Sequence, residues 1–254
     1  MIETIHHKTF SVRAVDIDQA GCIQPIVFID YILESAGEHA ALGGLAVTDL
    51  FVKGLTWVLS RFHVRFLRFP KWGEAVTIET WPSGRQNLYA VRDFEIAGAH
   101  GPVAAATSSW LIVDLKTRRP MRIADHLEGF PLLEKRSVPD DFAALSPPAR
   151  EDRIMEFPVF YSDLDLNRHV TATVYIHRAL ETAPEDVLSG FRPASIEVNF
   201  RGEAFYGDRI LSRLERIGGG DPDRPRFLHR LSRAADDREL TLLRTEWTPS
   251  SSLI

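Results

Sequence analysis

The sequence predicts an α+β fold made twice: two units in tandem, each one helix laid on an antiparallel meander. Three observations lead there. The chain repeats itself in order. Each repeat has one apolar helical stripe followed by several strand-like runs separated by turn residues. The repeats diverge at a short polar loop just ahead of the helix.

The repeat is clearest when residue 16 is laid on residue 163. Val15-Asp-Ile-Asp-Gln-Ala-Gly-Cys-Ile23 then falls on Ser162-Asp-Leu-Asp-Leu-Asn-Arg-His-Val170, and Phe28-Ile29 falls on Tyr175-Ile176. Upstream, Phe10 and Val12 fall on Phe157 and Val159. Further on, Val64-Arg-Phe66 matches Val198-Asn-Phe200, and Gly73-Glu74 matches Gly207-Asp208. Near the ends, Ser108-Ser-Trp110 matches Thr245-Glu-Trp247. Preserved order across many short matches is the mark of a duplication.

Taken in order, unit one starts with a strand at 8–15 and a helix opening at Pro25, a favoured residue in a first helical turn. Its apolar stripe is Ile29, Leu33, Ala36 and Ala40. Strands follow at 56–69, 75–81, 87–96 and 103–115, with turns at Pro82-Ser-Gly84 and Gly98-Ala-His-Gly101. Unit two repeats this with a strand at 154–161, then a helix after the N-cap candidate Thr171, striped by Ile176, Leu180 and Ala183 and stopped by Pro184. Its strands are 194–200, 208–217, 226–232 and 240–248, parted by Gly218-Gly-Gly-Asp-Pro222 and Asp236-Asp237. Helix and sheet are each other's burial partner. The predicted boundaries are 1–135 for the first unit, 136–152 for a proline-bearing linker and 153–254 for the second unit.

Composition excludes several classes of function. A net charge of −5 leaves no footprint for nucleic-acid binding. A single cysteine, Cys22, rules out an internal disulfide and a cysteine-rich zinc site, which suits a reducing compartment. No apolar run has the length of a membrane span or a secretory signal, so a cytoplasmic protein is expected.

The polar loop is the candidate site. Asp163, Asp165, Asn167 and His169 fall on every second residue, so an extended approach would aim all four one way. The helix start behind them offers unpaired N–H groups and partial positive charge, which suit a developing oxyanion. Asp and Asn before a helix are also ordinary turn residues. Comparison of the repeats favours chemistry. Asp18 matches Asp165, but Ala20, Gly21 and Cys22 stand where Asn167, Arg168 and His169 stand, as in a duplicated site kept in one copy.

Several motifs together resemble the acyl-ACP thioesterases of plant plastids and bacteria. Asp163-Leu-Asp-Leu-Asn-Arg-His-Val170 resembles that family's Asp-Leu-Asp-x-Asn-x-His-Val motif. Thr56-Trp-Val-Leu-Ser-Arg61, Pro70-Lys-Trp-Gly-Glu74, Thr80-Trp-Pro-Ser-Gly84 and Ala106-Thr-Ser-Ser-Trp110 resemble its first-unit signature. Val198-Asn-Phe-Arg-Gly-Glu203 resembles its Tyr-Arg-Arg-Glu segment. Thr171 and Ala172 replace a usual pair of Asn, and Ala204 stands where plant members often have Cys.

The resemblance implies two tandem hotdog units, each an antiparallel sheet wrapped around one long helix. It implies hydrolysis of fatty acyl-acyl carrier protein thioesters, with Asp165, Asn167, His169 and Glu203 as the catalytic set. Acyl-CoA hydrolysis on the same fold, or a non-catalytic acyl or carrier-protein binding module, are the competing readings. With no cysteine at the site, water is the expected nucleophile, and either Glu203 or His169 is its base. Asn167 would position water or the carbonyl, Asp165 would hold the loop, and Gly202 would permit a bulge that re-aims Glu203. Val170, Thr171 and Thr173, at the helix start, are the expected substrate contacts. No metal or other cofactor is called for. The partner is acyl carrier protein, with no nucleic acid and no membrane, and a homodimer is compatible with this reading. Arginines 61, 65, 68, 118, 119, 122, 201, 209 and 213 are the candidate docking face for an acidic carrier. The acyl chain is expected mainly in the first unit.

Overall fold

A computed structural model describes residues 2–127, 129–218 and 221–250. The chain divides into two compact units, one up to Phe142 and one from Ala143 onward.

In the first unit, strand β1 (His6–Ser11) precedes helices α1 (Pro25–Leu42) and α2 (Val47–Val52). Strands β2 (Leu55–Phe66), β3 (Ala75–Gln86), β4 (Tyr89–Gly98) and β5 (Gly101–Asp114) follow, paired antiparallel in the order β1-β3-β4-β5-β2. In the second unit, β6 (Arg153–Pro158) precedes α3 (Ala172–Glu181) and α4 (Glu185–Gly190). Strands β7 (Phe191–Phe200), β8 (Arg209–Ile217), β9 (Arg226–Arg233) and β10 (Glu239–Pro249) pair in the equivalent order β6-β8-β9-β10-β7.

The duplication extends to strand register. Phe10 lies opposite Val76 in the first unit, and Phe157 lies opposite Ile210 in the second. Val64 faces Ala106 as Val198 faces Leu243. The indole of Trp110 donates to Ser108 Oγ at 2.8 Å, and that of Trp247 to Thr245 Oγ1 at 3.0 Å. Helix and sheet meet alike in both units: Phe28 packs on Phe66 with centroids 5.7 Å apart, and Tyr175 on Phe200 at 6.4 Å.

Burial drives each helix onto its sheet. α1 buries Phe28, Ile29, Ile32 and Ala36, each large side chain contributing about 1.5–3 kcal/mol. Leu33 and Ala40, expected in the stripe, are half-buried at its margin, and Ile32 and His39 hold the centre. The α3 stripe is as expected, with Ile176 and Leu180 buried and Ala183 buried just beyond the helix.

Local departures have physical causes. Pro82-Ser-Gly84 reads as a turn but is a bulge inside β3, where the pairing with β4 slips between Pro82 and Gly84. The short helices α2 and α4 carry too few residues for a periodic signal. Residues 219 and 220 of the glycine-rich turn lie outside the described residues. The stretch after 135 is docked on the first unit. Fully buried Asp93 accepts hydrogen bonds from Arg136 Nε at 2.9 Å and Ser137 N at 2.8 Å, and Asp140 lies 2.6 Å from His63 Nδ1. At the start of the second unit, Ala149 N donates to Glu215. Among the described residues, no helix is long and apolar enough to cross a membrane.

Candidate active site

The polar loop is closed rather than extended. A single 3₁₀ turn (Tyr161–Asp163) leads in, and an antiparallel bridge between Leu164 and Val170 pinches the ends together. Asp165 N donates to His169 O at 2.8 Å, and Arg168 N donates to Asp165 O at 2.9 Å. Arg168 takes the left-handed conformation at φ 62°, as Gly21 does at φ 75° in the other copy.

This overturns the every-second-residue expectation for Asp163. Its carboxylate turns back to accept Phe160 N at 2.8 Å and lies 3.8 Å from Arg178 of α3. Asp165 faces into its own loop, where Oδ1 accepts the backbone N–H of Asn167 at 2.8 Å and of His169 at 3.0 Å. Asn167 Nδ2 lies 3.4 Å from Asp165 Oδ2. A carboxylate only accepts, so the amide nitrogen faces it and Oδ1 points the other way. That Oδ1 is buried and accepts no hydrogen bond from any described residue.

Glu203 reaches this loop from the end of β7. His169 Nδ1 lies 3.3 Å from Glu203 Oε1, with the imidazole the more buried of the two. The delivery depends on Gly202. Arg201 N and Gly202 N both donate to Leu240 O, a two-against-one bulge, and a Cβ on Gly202 would stand 2.7 Å from Glu239 O. The expected bulge is present, and only glycine fits there.

At the helix start, the expected donors separate into two groups. Val170 is buried and its N–H donates to Ala204 O at 3.0 Å. Thr171 N donates to Asp163 O at 2.9 Å, and its side chain makes no capping bond. Those two amides are occupied, so neither can serve an oxyanion without breaking a backbone contact. The first-turn amides of Ala172 and Thr173 are the ones an α-helix leaves unpaired.

Two residues beside the set were not anticipated. The Phe205 ring meets His169 edge-on at 5.1 Å, and the buried Tyr175 hydroxyl accepts Ala204 N–H at 2.8 Å. The pairing of Tyr175 with Phe28 in the repeat was the available signal. Burial pushes the Tyr175 hydroxyl well above the ordinary phenol range, with Glu203 among the charges that add to it.

The other copy repeats these backbone bonds without counterparts of Asn167 and His169. Asp18 Oδ1 accepts Ala20 N at 2.9 Å and Cys22 N at 3.3 Å. Ile23 N donates to Pro70 O at 2.8 Å, as Val170 N does to Ala204 O. Buried Cys22 therefore stands for His169 and buried Phe69 for Glu203.

Comparison with known families adds two matches covering most of the chain. Residues 3–129 match the acyl-ACP thioesterase N-terminal domain, and residues 146–249 match the acyl-ACP thioesterase C-terminal domain. The chain belongs to the acyl-ACP thioesterase family.

Among curated acyl-ACP thioesterases, the chain is 28% identical to a chloroplastic palmitoyl-acyl carrier protein thioesterase of Cuphea hookeriana, over 98% of this chain and 64% of the relative. It thus spans less than two thirds of that relative's length. It is 27% identical to a chloroplastic oleoyl-acyl carrier protein thioesterase of Coriandrum sativum, over 97% of this chain and 77% of the relative. Among solved structures, a 12:0-ACP thioesterase from Umbellularia californica superimposes with TM-score 0.87 at 22% identity, covering 98% of this chain and 95% of that one. An acyl-ACP thioesterase from Bacteroides thetaiotaomicron gives TM-score 0.84 at 21% identity, covering 96% and 98%. These likenesses show the fold, two tandem hotdog units of antiparallel sheet and helix.

Proposed function

We propose that this chain hydrolyses the thioester between a fatty acyl group and acyl carrier protein, by direct attack of water in the second unit. The observation that carries the reading is the meeting of His169 Nδ1 and Glu203 Oε1 at 3.3 Å, beside an unpartnered Asn167 Oδ1. Family membership and the names of the curated relatives support the substrate class.

Glu203 and His169 act as one base. With Nδ1–H turned to the carboxylate, Nε2 is the atom left to take a proton from water. Asn167 Oδ1 accepts the water's second hydrogen and aims its lone pair. The water oxygen bonds to the thioester carbon, and the charge that builds on the carbonyl oxygen is met by the amides of Ala172 and Thr173. Collapse breaks the carbon–sulfur bond, and the proton held at Nε2 goes to the leaving sulfur. The products are a free fatty acid and the carrier's thiol. Asp165 holds the loop in shape. Val170 and Thr171 act as its anchors through the backbone bonds above. The first unit, lacking the set, receives the acyl chain.

The partner is acyl carrier protein, an acidic protein that an arginine face would attract. Several of the candidate arginines are engaged within the chain: Arg61 with Ser60, Arg68 with Glu74, Arg201 with Glu239, Arg209 with Glu156, and Arg213 with Glu151. Exposed Arg65, Arg119 and Arg122 are the better docking candidates. The test is release of thiol from acyl carrier proteins of graded acyl length, run beside the matching CoA esters. Faster turnover of the carrier-protein esters is expected; faster turnover of the CoA esters, or none of either, would refute the reading.

A further inference from the structure

Ala204 is held at both of its backbone groups. Its carbonyl accepts Val170 N–H at 3.0 Å, and its N–H donates to the Tyr175 hydroxyl at 2.8 Å. Its neighbours in sequence, Glu203 and Phe205, are the two residues that meet the His169 ring, at 3.3 Å and 5.1 Å. Tyr175 is buried on the first turns of α3, with 3% exposure, so its hydroxyl is a fixed post rather than a swinging arm.

The duplication isolates what this bond is for. In the first unit, Phe28 stands in the place of Tyr175 and Pro70 in the place of Ala204. Pro70 O still accepts Ile23 N–H at 2.8 Å, and Phe28 still packs on Phe66. The backbone anchor and the ring packing therefore belong to the fold and are present in both copies. The hydroxyl and the N–H are absent together from the copy with no chemistry, because phenylalanine has no O–H and proline no N–H. A bond needed only to hold the fold would be wanted in both copies.

We infer that Tyr175 is a positioning residue for hydrolysis, its hydroxyl clamping Ala204 N–H so that Glu203 and Phe205 are held against His169. The inference rests on the reading of His169 and Glu203 as the base. Carboxylate and imidazole reach each other across two separate loops, and without the clamp Ala204 itself is held only through its carbonyl. A shift of about 1 Å in a reacting group can cost about a hundredfold in rate.

The test measures kcat, KM and melting temperature for wild type, Tyr175→Phe, and Tyr175→Phe/Ala204→Pro, with assays run well below each melting point. Tyr175→Phe should lower kcat at least about tenfold with KM within about twofold, and should also lower the melting temperature because Ala204 N–H is left buried and unpaired. The double variant recreates the Phe28 and Pro70 pair and removes that orphaned donor. It should regain melting temperature relative to Tyr175→Phe while kcat stays low. Recovery of kcat together with stability would overturn the positioning role, as would a Tyr175→Phe enzyme with more than about half of wild-type kcat. The single variant decides the matter if the double variant does not fold. A wild-type chain inactive on every thioester overturns the hydrolase reading and this inference with it, whereas an active wild type beside an unimpaired Tyr175→Phe overturns this inference alone.

Discussion

Asp165 and Asp18 do the same structural work in the two units. Each Oδ1 accepts two backbone N–H groups of its own loop, from residues two and four positions on, and each residue's N–H closes the loop onto the carbonyl of the latter. Only the loop of Asp165 carries Asn167 and His169; Ala20 and Cys22 stand in those places beside Asp18. On the proposed function, the pair separates holding the loop from doing chemistry.

Asp18→Ala should therefore lower stability and leave kcat near wild type, while Asp165→Ala should lower both. Loss of such an acceptor typically costs about 1 kcal/mol, a few degrees of melting temperature. A fully stable but inactive Asp165→Asn would make Asp165 a direct participant in the reaction.

Asn167→Ala, His169→Ala and Glu203→Ala should each reduce kcat about a hundredfold or more, with melting temperatures close to wild type. On the proposal that His169 and Glu203 act as one base, the double variant should lose far less than the product of the single losses. Near-normal turnover by Glu203→Ala would leave His169 as the sole base.

Gly202→Ala should damage both fold and activity. The added Cβ would stand 2.7 Å from Glu239 O, so either β10 or the Glu203 segment must move. Overpacking of this kind costs about 1–3 kcal/mol. A lowered melting temperature and a fall in kcat of about tenfold or more are expected, and an alanine variant indistinguishable from wild type in both would contradict the bulge account.

Cys22→Ala and Cys22→Ser should keep turnover near wild type, since Cys22 is buried in the loop that has Ala20 and Cys22 where the other has Asn167 and His169. A loss beyond about tenfold, equivalent to about 1.4 kcal/mol of barrier, with the fold intact would count against direct attack by water.

Stability should fall in acid in two stages. Burial lowers His229 to about 3, and burial followed by the nearby Arg92 charge lowers His39 to about 4. The unfolded imidazoles take protons below about pH 6.5. Between about pH 6.5 and 4 the unfolded chain thus binds more protons, and stability drops as pH falls, by up to about tenfold in the folding constant per pH unit for each histidine. Asp16 acts lower down. Its hydrogen bond to Arg13 is the main cause holding the carboxyl at about 2, so its contribution is whole above about pH 4 and is lost as pH falls through about 2. Denaturant titrations from pH 7.5 to 2.5 check both stages, and His229→Gln should reduce the first to the His39 contribution without altering the second.

Much of the fold could be read from residues alone because its signals are local. Period-two and period-3.6 patterns marked the strands and both long-range helices, and Pro25 marked the start of α1. Three readings failed for equally physical reasons. Asp163 was counted with the site because alternation presumes an extended chain, and the 3₁₀ turn removes that premise. Pro82-Ser-Gly84 looked like a chain reversal because a bulge uses the same residues as a turn. The helix-start amides looked interchangeable because local rules do not say which are engaged by distant carbonyls.

The duplication, the order of the two longer helices and of the strands, and which loop residues carry an amide, an imidazole or a carboxylate are legible in the residues alone. Those are properties of neighbours along the chain and of order preserved between copies. Tertiary structure alone decided that His169 meets Glu203, that Val170 and Thr171 have their amides occupied, and that Tyr175 reaches Ala204. All but the Thr171–Asp163 bond, which closes the loop on itself, join the loop and helix to the segment after β7. Their distances are set by the register of β7 on β10 and by the closeness of Gly202 to the Glu239 carbonyl, which no periodicity along one strand encodes.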